Sequence, residues 1–185
     1  MKTTQFTKEI LKELQRTAEL INDSEAEQLV DGILKAKKVF VAGAGRSGFM
    51  AKSFAMRMMH VGLEPYVVGE TVTPNLEQDD IFIVGSGSGE TKSLVSMAEK
   101  AKSIGAMIVA VTINPTSLIG QLADIIIEIP AQTKSGENSG AKSIQPMGTL
   151  FEQSLLLFYD SIILRFMEKK ELNSKKMYGR HANLE

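Results

Sequence analysis

The feature that most constrains this chain is an alternation, beyond residue 38, of short β-branched apolar runs with helix-length stretches. Most of the runs are unbroken rather than alternating with polar residues, which is typical of parallel strands that helices cover on both faces. The pattern predicts an α/β fold: a doubly wound, three-layer αβα arrangement around a five-stranded parallel sheet. The predicted strands are Val39–Ala42, Tyr66–Val68, Ile81–Val84, Met107–Thr112 and Ile125–Ile129.

Helical patterns occupy most of the remaining sequence. Two helices precede the first strand, one through Phe6 to Ile21 and one that begins at Ser24, where Ser24 and Glu27 have the spacing of a capping box. The later helices are predicted over Gly48–Val61, Thr91–Ser103, a short segment after Asn114-Pro115, and Thr149 to about Lys170.

The length of the chain, 185 residues and 20.2 kDa, suits one ordinary domain. We expect a single domain over residues 1–185, without room for separate cofactor and substrate domains. Its parts are the N-terminal helices (1–37), a parallel α/β core (38–130), a polar loop (131–147), a long helix (148–170) and a C-terminal tail (171–185).

Composition excludes several classes of function. Because 21 basic and 22 acidic side chains nearly cancel, neither nucleic acid nor an anionic membrane is favoured as a partner. The absence of Cys excludes disulfides, thiolate metal sites and a Cys nucleophile. The N-terminus lacks the apolar run of a signal peptide, and the most apolar stretch, Leu155 to Phe166, is interrupted by Asp160 and Arg165. We therefore expect a soluble, cytoplasmic protein.

The first glycine loop, Gly43-Ala44-Gly45-Arg46-Ser47-Gly48, follows the first strand and matches the dinucleotide pattern G-x-G-x-x-G. Glu70 even stands where a ribose-binding acid would, so a nicotinamide cofactor is one interpretation. Arg46 and Ser47, however, are polar donors suited to a substrate phosphate, and no second domain is available for a hydride acceptor. A strand-to-helix turn that simply requires glycine is the third interpretation.

The second glycine loop, Ser86-Gly87-Ser88-Gly89-Glu90-Thr91, also joins a strand to a helix. Hydroxyl groups and bare backbone N–H groups can converge there on one anion, at a helix N-terminus whose dipole favours negative charge. A nucleotide P-loop does not fit, because Thr91 precedes Lys92 where that motif requires glycine. Helix capping by Ser88 or Thr91 is compatible with phosphate binding. The loop therefore predicts a phosphate cradle.

Together these loops resemble the sugar isomerase (SIS) domain family. The resemblance is closest to the 6-phospho-3-hexuloisomerases and extends along essentially the whole chain, through GAGRSG, KSFAMRMMH, VGE, SGSGETKS, IQPMG, LFEQ and the terminal HANLE. It implies the SIS fold and the interconversion of D-arabino-3-hexulose 6-phosphate and D-fructose 6-phosphate in the ribulose monophosphate route. It also implies no cofactor or metal, a homotetramer built as a dimer of dimers, and a 3-hexulose-6-phosphate synthase as functional partner.

Glu152 is the candidate for proton transfer. Spacing alone leaves two roles open, since Thr149 and Glu152 could also form a capping box at the head of the last helix. The resemblance implies that Glu152 is the proton acceptor. It further implies that the substrate phosphate is bound by Ser47, Ser86, Gly87, Ser88, Gly89, Glu90 and Thr91.

The remaining candidates are Arg46, Glu70 and the two histidines. Arg46 and Glu70 could orient substrate hydroxyls, and a surface ion pair is the alternative for each. His181, in the tail, could reach the cleft of a neighbouring subunit and open the furanose ring, whereas His60 suits a packed or interface position.

Two further functions stay open from the sequence: another aldose–ketose isomerase, and a non-catalytic SIS module that senses a sugar phosphate. An oligomer is expected in each case. The amphipathic first helix, the methionine-rich helix that ends at His60 and the apolar last helix offer more apolar surface than one small sheet can cover.

Overall fold

A computed structural model describes residues 1–133, 143–173, 177 and 179–181. The five strands are β1 (Val39–Gly43), β2 (Pro65–Val67), β3 (Ile81–Gly85), β4 (Met107–Thr112) and β5 (Ile125–Glu128). They form one parallel sheet in the order β2-β1-β3-β4-β5. The predicted α/β fold with a five-stranded parallel sheet is confirmed.

The helices are α1 (Thr3–Ala18), α2 (Asp23–Lys35), α3 (Arg46–His60), α4 (Lys92–Ile104), α5 (Leu118–Leu122) and α6 (Thr149–Lys169). The predicted capping box at the start of α2 is wrong, because Asn22 is the N-cap and its side chain accepts the backbone N–H of Ser24. The short helix predicted after Asn114-Pro115 is α5, which begins at Leu118. The hydroxyl of Ser117 caps that helix by accepting the N–H of Gly120.

Each strand sends alternate side chains into two separate apolar cores. Val41, Ile83 and Val111 pack in the core that α2, α3 and α6 cover. Phe40 and Phe82 pack in the opposite core, beneath α4 and α5. Because helices cover both faces, nearly every position of a central strand is apolar, which is the reason that the strands appear as unbroken apolar runs in the sequence.

Helix α6 brings the last part of the chain back across the sheet. It packs on α1, α2 and α3, and Arg165 holds it to α2 through hydrogen bonds of 2.6 Å and 3.1 Å to the carboxylate of Glu27. Among the described residues, no helix has both the length and the apolar character that a bilayer-crossing segment needs. The packing of α6 places its N-terminal turn beside the carboxyl ends of β1 and β3.

Two predicted polar segments, the loop 131–147 and the C-terminal tail, are described only in part. The middle of the predicted 131–147 loop, residues 134–142, lies outside the described residues. In the tail, His181 is described, whereas residues 182–185 of the terminal motif are not.

Candidate active site

Both glycine loops lie at the carboxyl ends of neighbouring strands, β1 and β3, where the strand order reverses. In open parallel sheets this switch point is the usual position of a ligand site. A cavity of about 510 Å³ opens there between the loops and the N-terminal turn of α6. Its lining comprises Ala44, Gly45, Ser47, Gly85, Ser86, Gly87, Ser88, Thr91, Leu94, Ile113, Thr133, Gly148, Phe151 and Glu152.

The first loop brings the end of β1 and the start of α3 into backbone contact. A Cβ atom added to Gly48 would lie 2.7 Å from the carbonyl oxygen of Gly43, and Gly45 has a φ of 58° in the left-handed region. Glycine is therefore required at these positions for the turn itself. The turn leaves Ser47 in the first turn of α3, buried and facing the cavity. The structural and the phosphate-binding interpretations of this loop are thus compatible.

The second loop brings three hydroxyl groups to the cavity, those of Ser86, Ser88 and Thr91. Two of them also order the loop, since Ser86 Oγ accepts the N–H of Gly89 and Ser88 Oγ accepts the N–H of Glu90, each at 3.2 Å. Thr91 is the N-cap residue of α4 by position, but its side chain makes no capping hydrogen bond. A hydroxyl that accepts can still donate its own O–H, so capping does not compete with anion binding here.

Glycine and Glu90 give this loop its shape. A side chain at Gly87 would approach the ring of Phe151 to 3.2 Å, so glycine keeps the cavity open. Gly89 has a φ of 66° and faces Ser117. The carboxylate of Glu90 accepts the N–H of Leu118 at 2.9 Å. Within one chain, Gly89 and Glu90 therefore attach the loop to α5, and the phosphate contact predicted for them stays a prediction.

Glu152 lies in the first turn of α6 and is only 5% exposed. Its Oε2 accepts a hydrogen bond of 2.5 Å from Nε of Arg46, the first residue of α3. The capping-box alternative is wrong, because Gly148 is the N-cap of α6 and the hydroxyl of Thr149 donates instead to the carbonyl of Pro146. The carboxylate is thus held against the cavity by a guanidinium group.

Glu70 does not join this arrangement within one chain. It lies in the turn after β2, half exposed, and its carboxylate is 3.5 Å from Nζ of Lys52 on the outer side of α3. This contact is the surface ion pair that the sequence left open as the alternative to a role of Glu70 in orienting substrate hydroxyls. Such pairs contribute little to stability.

The structure places His181 at the far end of α3. Its ring stacks on that of His60, with centroids 5.4 Å apart. Burial lowers the pKa of His60, and the neighbouring Arg57 and His181 lower it further. Since α3 has 15 residues, this end lies about 20 Å from Arg46. His181 therefore does not meet the Glu152 of its own chain, and its action in a neighbouring subunit stays a prediction.

Sequence reasoning missed several residues of the cavity wall. Phe151 and Ile113 give it an apolar surface that excludes water, and Phe151 could have been inferred from its place beside Glu152. Thr133 carries no such signal, because the polar stretch around it has no periodicity. No group of three or more His, Cys, Asp or Glu side chains within the described ranges is arranged to hold a metal ion.

Replacing Ser88 by Ala should weaken the binding of fructose 6-phosphate about 10- to 150-fold, without unfolding the chain. If Ser88 binds the phosphate as predicted, the variant loses one hydrogen bond to a charged group, which contributes about 1.5–3 kcal/mol. Titration calorimetry measures the change, with Ser103→Ala at the exposed far end of α4 as the matched control. Equal affinity of Ser88→Ala and the parent would make the loop a structural turn and place the phosphate elsewhere.

The SIS domain family model matches residues 32–157, and the chain belongs to this family. Among curated proteins, it is 57% identical to a 3-hexulose-6-phosphate isomerase of Bacillus subtilis over 185 residues, the full length of both chains. It is 40% identical to a 3-hexulose-6-phosphate isomerase of Methanocaldococcus jannaschii over 161 residues, 87% of this chain and 84% of the relative. A crystal structure from Methanococcus jannaschii, for which this same molecular function has been inferred, is 37% identical with a TM-score of 0.81 and covers 97% of each chain.

Proposed function

We propose that this chain interconverts D-arabino-3-hexulose 6-phosphate and D-fructose 6-phosphate. The observation that carries the proposal is that the buried carboxylate of Glu152 opens onto the same cavity as the hydroxyl-rich loop that follows β3. The loop after β3 can thus bind the phosphate while Glu152 reaches the carbon chain of the sugar. The full-length relative at 57% identity supports the same reaction.

The reaction moves a carbonyl group between C3 and C2 of the sugar. Glu152 removes the proton from C2 of the 3-ketose, and the C–H electron pair forms the C2–C3 double bond of a cis-enediolate. The protonated Glu152 then returns the proton to C3, while the hydroxyl proton passes from O2 to O3. The product is the 2-ketose, and no electrons are gained or lost overall.

Arg46 supports these steps electrostatically. Its guanidinium group lies against Glu152 and at the positive end of α3, so it places fixed positive charge where the enediolate oxygen develops negative charge. Arg46 is not itself one of the residues that line the cavity, but its side chain is 59% exposed and contacts Glu152, which is. It can therefore orient the substrate hydroxyls while it holds the carboxylate.

Proton NMR of fructose 6-phosphate with the protein in D₂O tests the reaction. Reversible proton removal should introduce deuterium at C3, because that carbon is deprotonated in the reverse direction. Deuterium at C1 would instead indicate an aldose–ketose isomerase. Ligand binding without any exchange would indicate a sugar-phosphate sensor.

The biological setting is part of the same proposal. An enzyme with this reaction operates in the ribulose monophosphate pathway, after a 3-hexulose-6-phosphate synthase that condenses formaldehyde with the pentulose phosphate. We propose that the isomerisation takes place in the cytoplasm. Its substrates are charged sugar phosphates, which suit the polar loops of the cavity.

We also propose a homotetramer, built as a dimer of dimers. Exposed apolar side chains form a stripe on α3, at Phe49, Met56 and Met59, and a second on α6, at Leu157 and Leu164. Their spacing places each set on one helix face, and such stripes are typical of interfaces. Light scattering should give a mass of about four chains.

The matched variants for the tetramer are Met56→Glu and Leu118→Glu. Leu118 is exposed on α5, which covers the opposite face of the sheet from α3 and α6, so only Met56→Glu should lower the mass. A single-chain mass for the parent at micromolar concentration would contradict the proposed assembly.

A further inference from the structure

The carboxylate of Glu13, on the N-terminal helix α1, binds the segment 143–145, which leads into α6. Glu13 Oε1 accepts the backbone N–H of Ile144 at 2.8 Å. Its Oε2 accepts the hydroxyl of Ser143 at 2.8 Å and the side-chain amide of Gln145 at 3.0 Å. Three donors from three consecutive residues thus converge on one side chain that lies more than 120 residues away along the chain.

The same face of α1 also holds the segment that leaves β5. Thr17, one helical turn after Glu13, is buried, and its hydroxyl donates to the carbonyl of Pro130 at 3.1 Å. Gln132 in turn accepts the N–H of Ser143 at 3.0 Å, which joins the two segments to each other. Helix α1 therefore holds both segments against the body of the domain.

Both of these segments reach the cavity. Thr133 follows directly after Gln132, and Gly148 lies three residues after Gln145; each of them lines the cavity. The intervening turn places Met147 at a φ of 56°, an unfavourable conformation for a side chain of this kind, which persists only where its surroundings impose it. The bonds to Glu13 are the constraint immediately before that turn.

We infer that Glu13 is a positioning residue for the isomerisation: it fixes residues 143–145 and thereby the turn that places Gly148 and Glu152 at the cavity. This inference rests on the proposed function. Burial of Glu13 by itself raises its pKa, but the hydrogen bonds from Gln145, Ile144 and Ser143 outweigh that effect and keep the pKa below its ordinary value of 4.5. The carboxylate is therefore charged, and accepts all three bonds, throughout the neutral range.

The test compares Glu13→Ala with Glu9→Ala in the intact protein. Glu9 lies one turn earlier on α1 and pairs only with Lys12 on the same helix among the described contacts. Glu13→Ala should lower kcat about 10- to 100-fold, since displacement of a catalytic group by about 1 Å can reduce the rate this much. KM should change little, because the phosphate is bound by the separate loop after β3. Glu9→Ala should behave as the parent does.

A conservative variant separates positioning from simple loss of packing. In Glu13→Gln the remaining oxygen can still accept the N–H of Ile144. After the Gln145 amide flips, its oxygen faces position 13 and can accept from the new amide group; this oxygen is buried and makes no hydrogen bond with any described residue. We therefore expect Glu13→Gln to restore most of the lost kcat, whereas a purely electrostatic effect of the Glu13 charge would leave it as slow as Glu13→Ala.

Amide hydrogen exchange gives a readout that does not depend on activity. The N–H of Ile144 should exchange faster in Glu13→Ala than in Glu9→Ala, at equal melting temperature. Faster exchange with an unchanged kcat would overturn the positioning role, and unchanged exchange would overturn the contact itself. A parent protein that exchanges no substrate hydrogen would refute the proposed function, while the exchange of Ile144 would still decide whether Glu13 holds this segment.

Discussion

Replacing Gly89 by Ala is expected to lower the melting temperature by about 5–15 °C and to impair ligand binding at the glycine loop after β3. Gly89 has a φ of 66°, which disfavours a side chain by about 1–2 kcal/mol. Its Cβ would also lie 1.9 Å from Oγ and 2.4 Å from Cβ of Ser117, an overlap that costs about 1–3 kcal/mol more. For a domain of this size each kcal/mol corresponds to about 2–4 °C. Thermal unfolding by circular dichroism measures the shift.

Gly105→Ala, at the C-terminal end of α4, is the matched control for Gly89→Ala. Gly105 also has a positive φ, 85°, but a Cβ there would meet nothing closer than the Gln78 side chain at 3.6 Å, so this variant carries the conformational cost alone. The difference between the two melting temperatures isolates the overlap with Ser117. Equal melting temperatures would mean that Ser117 moves aside freely and that the loop after β3 is not fixed by α5.

The fold was predictable because its strongest determinant is local in sequence. Continuous apolar runs such as Ile81–Gly85 arise from helices on both faces of the sheet, and five such runs with helical inserts leave few alternatives to a doubly wound sheet. Helix starts were less predictable. At α2 the spacing of Ser24 and Glu27 indicated a capping box, but the observed N-cap is Asn22, and Glu27 pairs with Arg165 from a distant helix.

The two loops of the site were predictable for a similar reason. A glycine-rich turn after a parallel strand lies at the carboxyl edge of the sheet, so the sequence alone predicts that Ser47, Ser86 and Ser88 face one cavity. Spacing could not distinguish the two roles of Glu152. The capping box is excluded only by the observed start of α6 after Gly148, and the contact of the carboxylate with Arg46, 106 residues away, forms only after α3 and α6 have packed together.

Contacts between distant segments account for most of what the sequence could not predict. Glu13 lies on an exposed-looking face of an amphipathic helix, and nothing in its surroundings along the chain indicates the bonds to residues 143–145. For His181 a similar limit applies, because its place beside His60 depends on how the tail folds back over α3. Arg180 lies directly over Gly62 at that point.

Replacing Glu152 by Gln is expected to reduce turnover about 10²- to 10⁴-fold, the usual contribution of a general base, because an amide cannot take a proton from carbon. The stability should change little. The amide oxygen of Gln can still accept the hydrogen bond from Nε of Arg46, and no helix cap is lost, since Gly148 caps α6. Affinity for fructose 6-phosphate should persist because the phosphate is predicted to bind to the separate loop after β3. Turnover at saturating substrate, thermal unfolding and calorimetry measure the three quantities.

Glu70→Gln is the matched control for Glu152→Gln. Both carboxylates pair with a basic residue of α3, Lys52 in one case and Arg46 in the other, but only Glu152 is buried at the cavity. If Glu152→Gln loses turnover because the general base is gone, Glu70→Gln should retain full turnover. Glu152→Gln should also lose deuterium exchange at C3 of the sugar while it still binds the ligand. A Glu152→Gln protein that unfolds earlier but turns over normally would make the Arg46–Glu152 pair a structural contact between α3 and α6. The base would then have to come from another group, such as His181 of a neighbouring subunit.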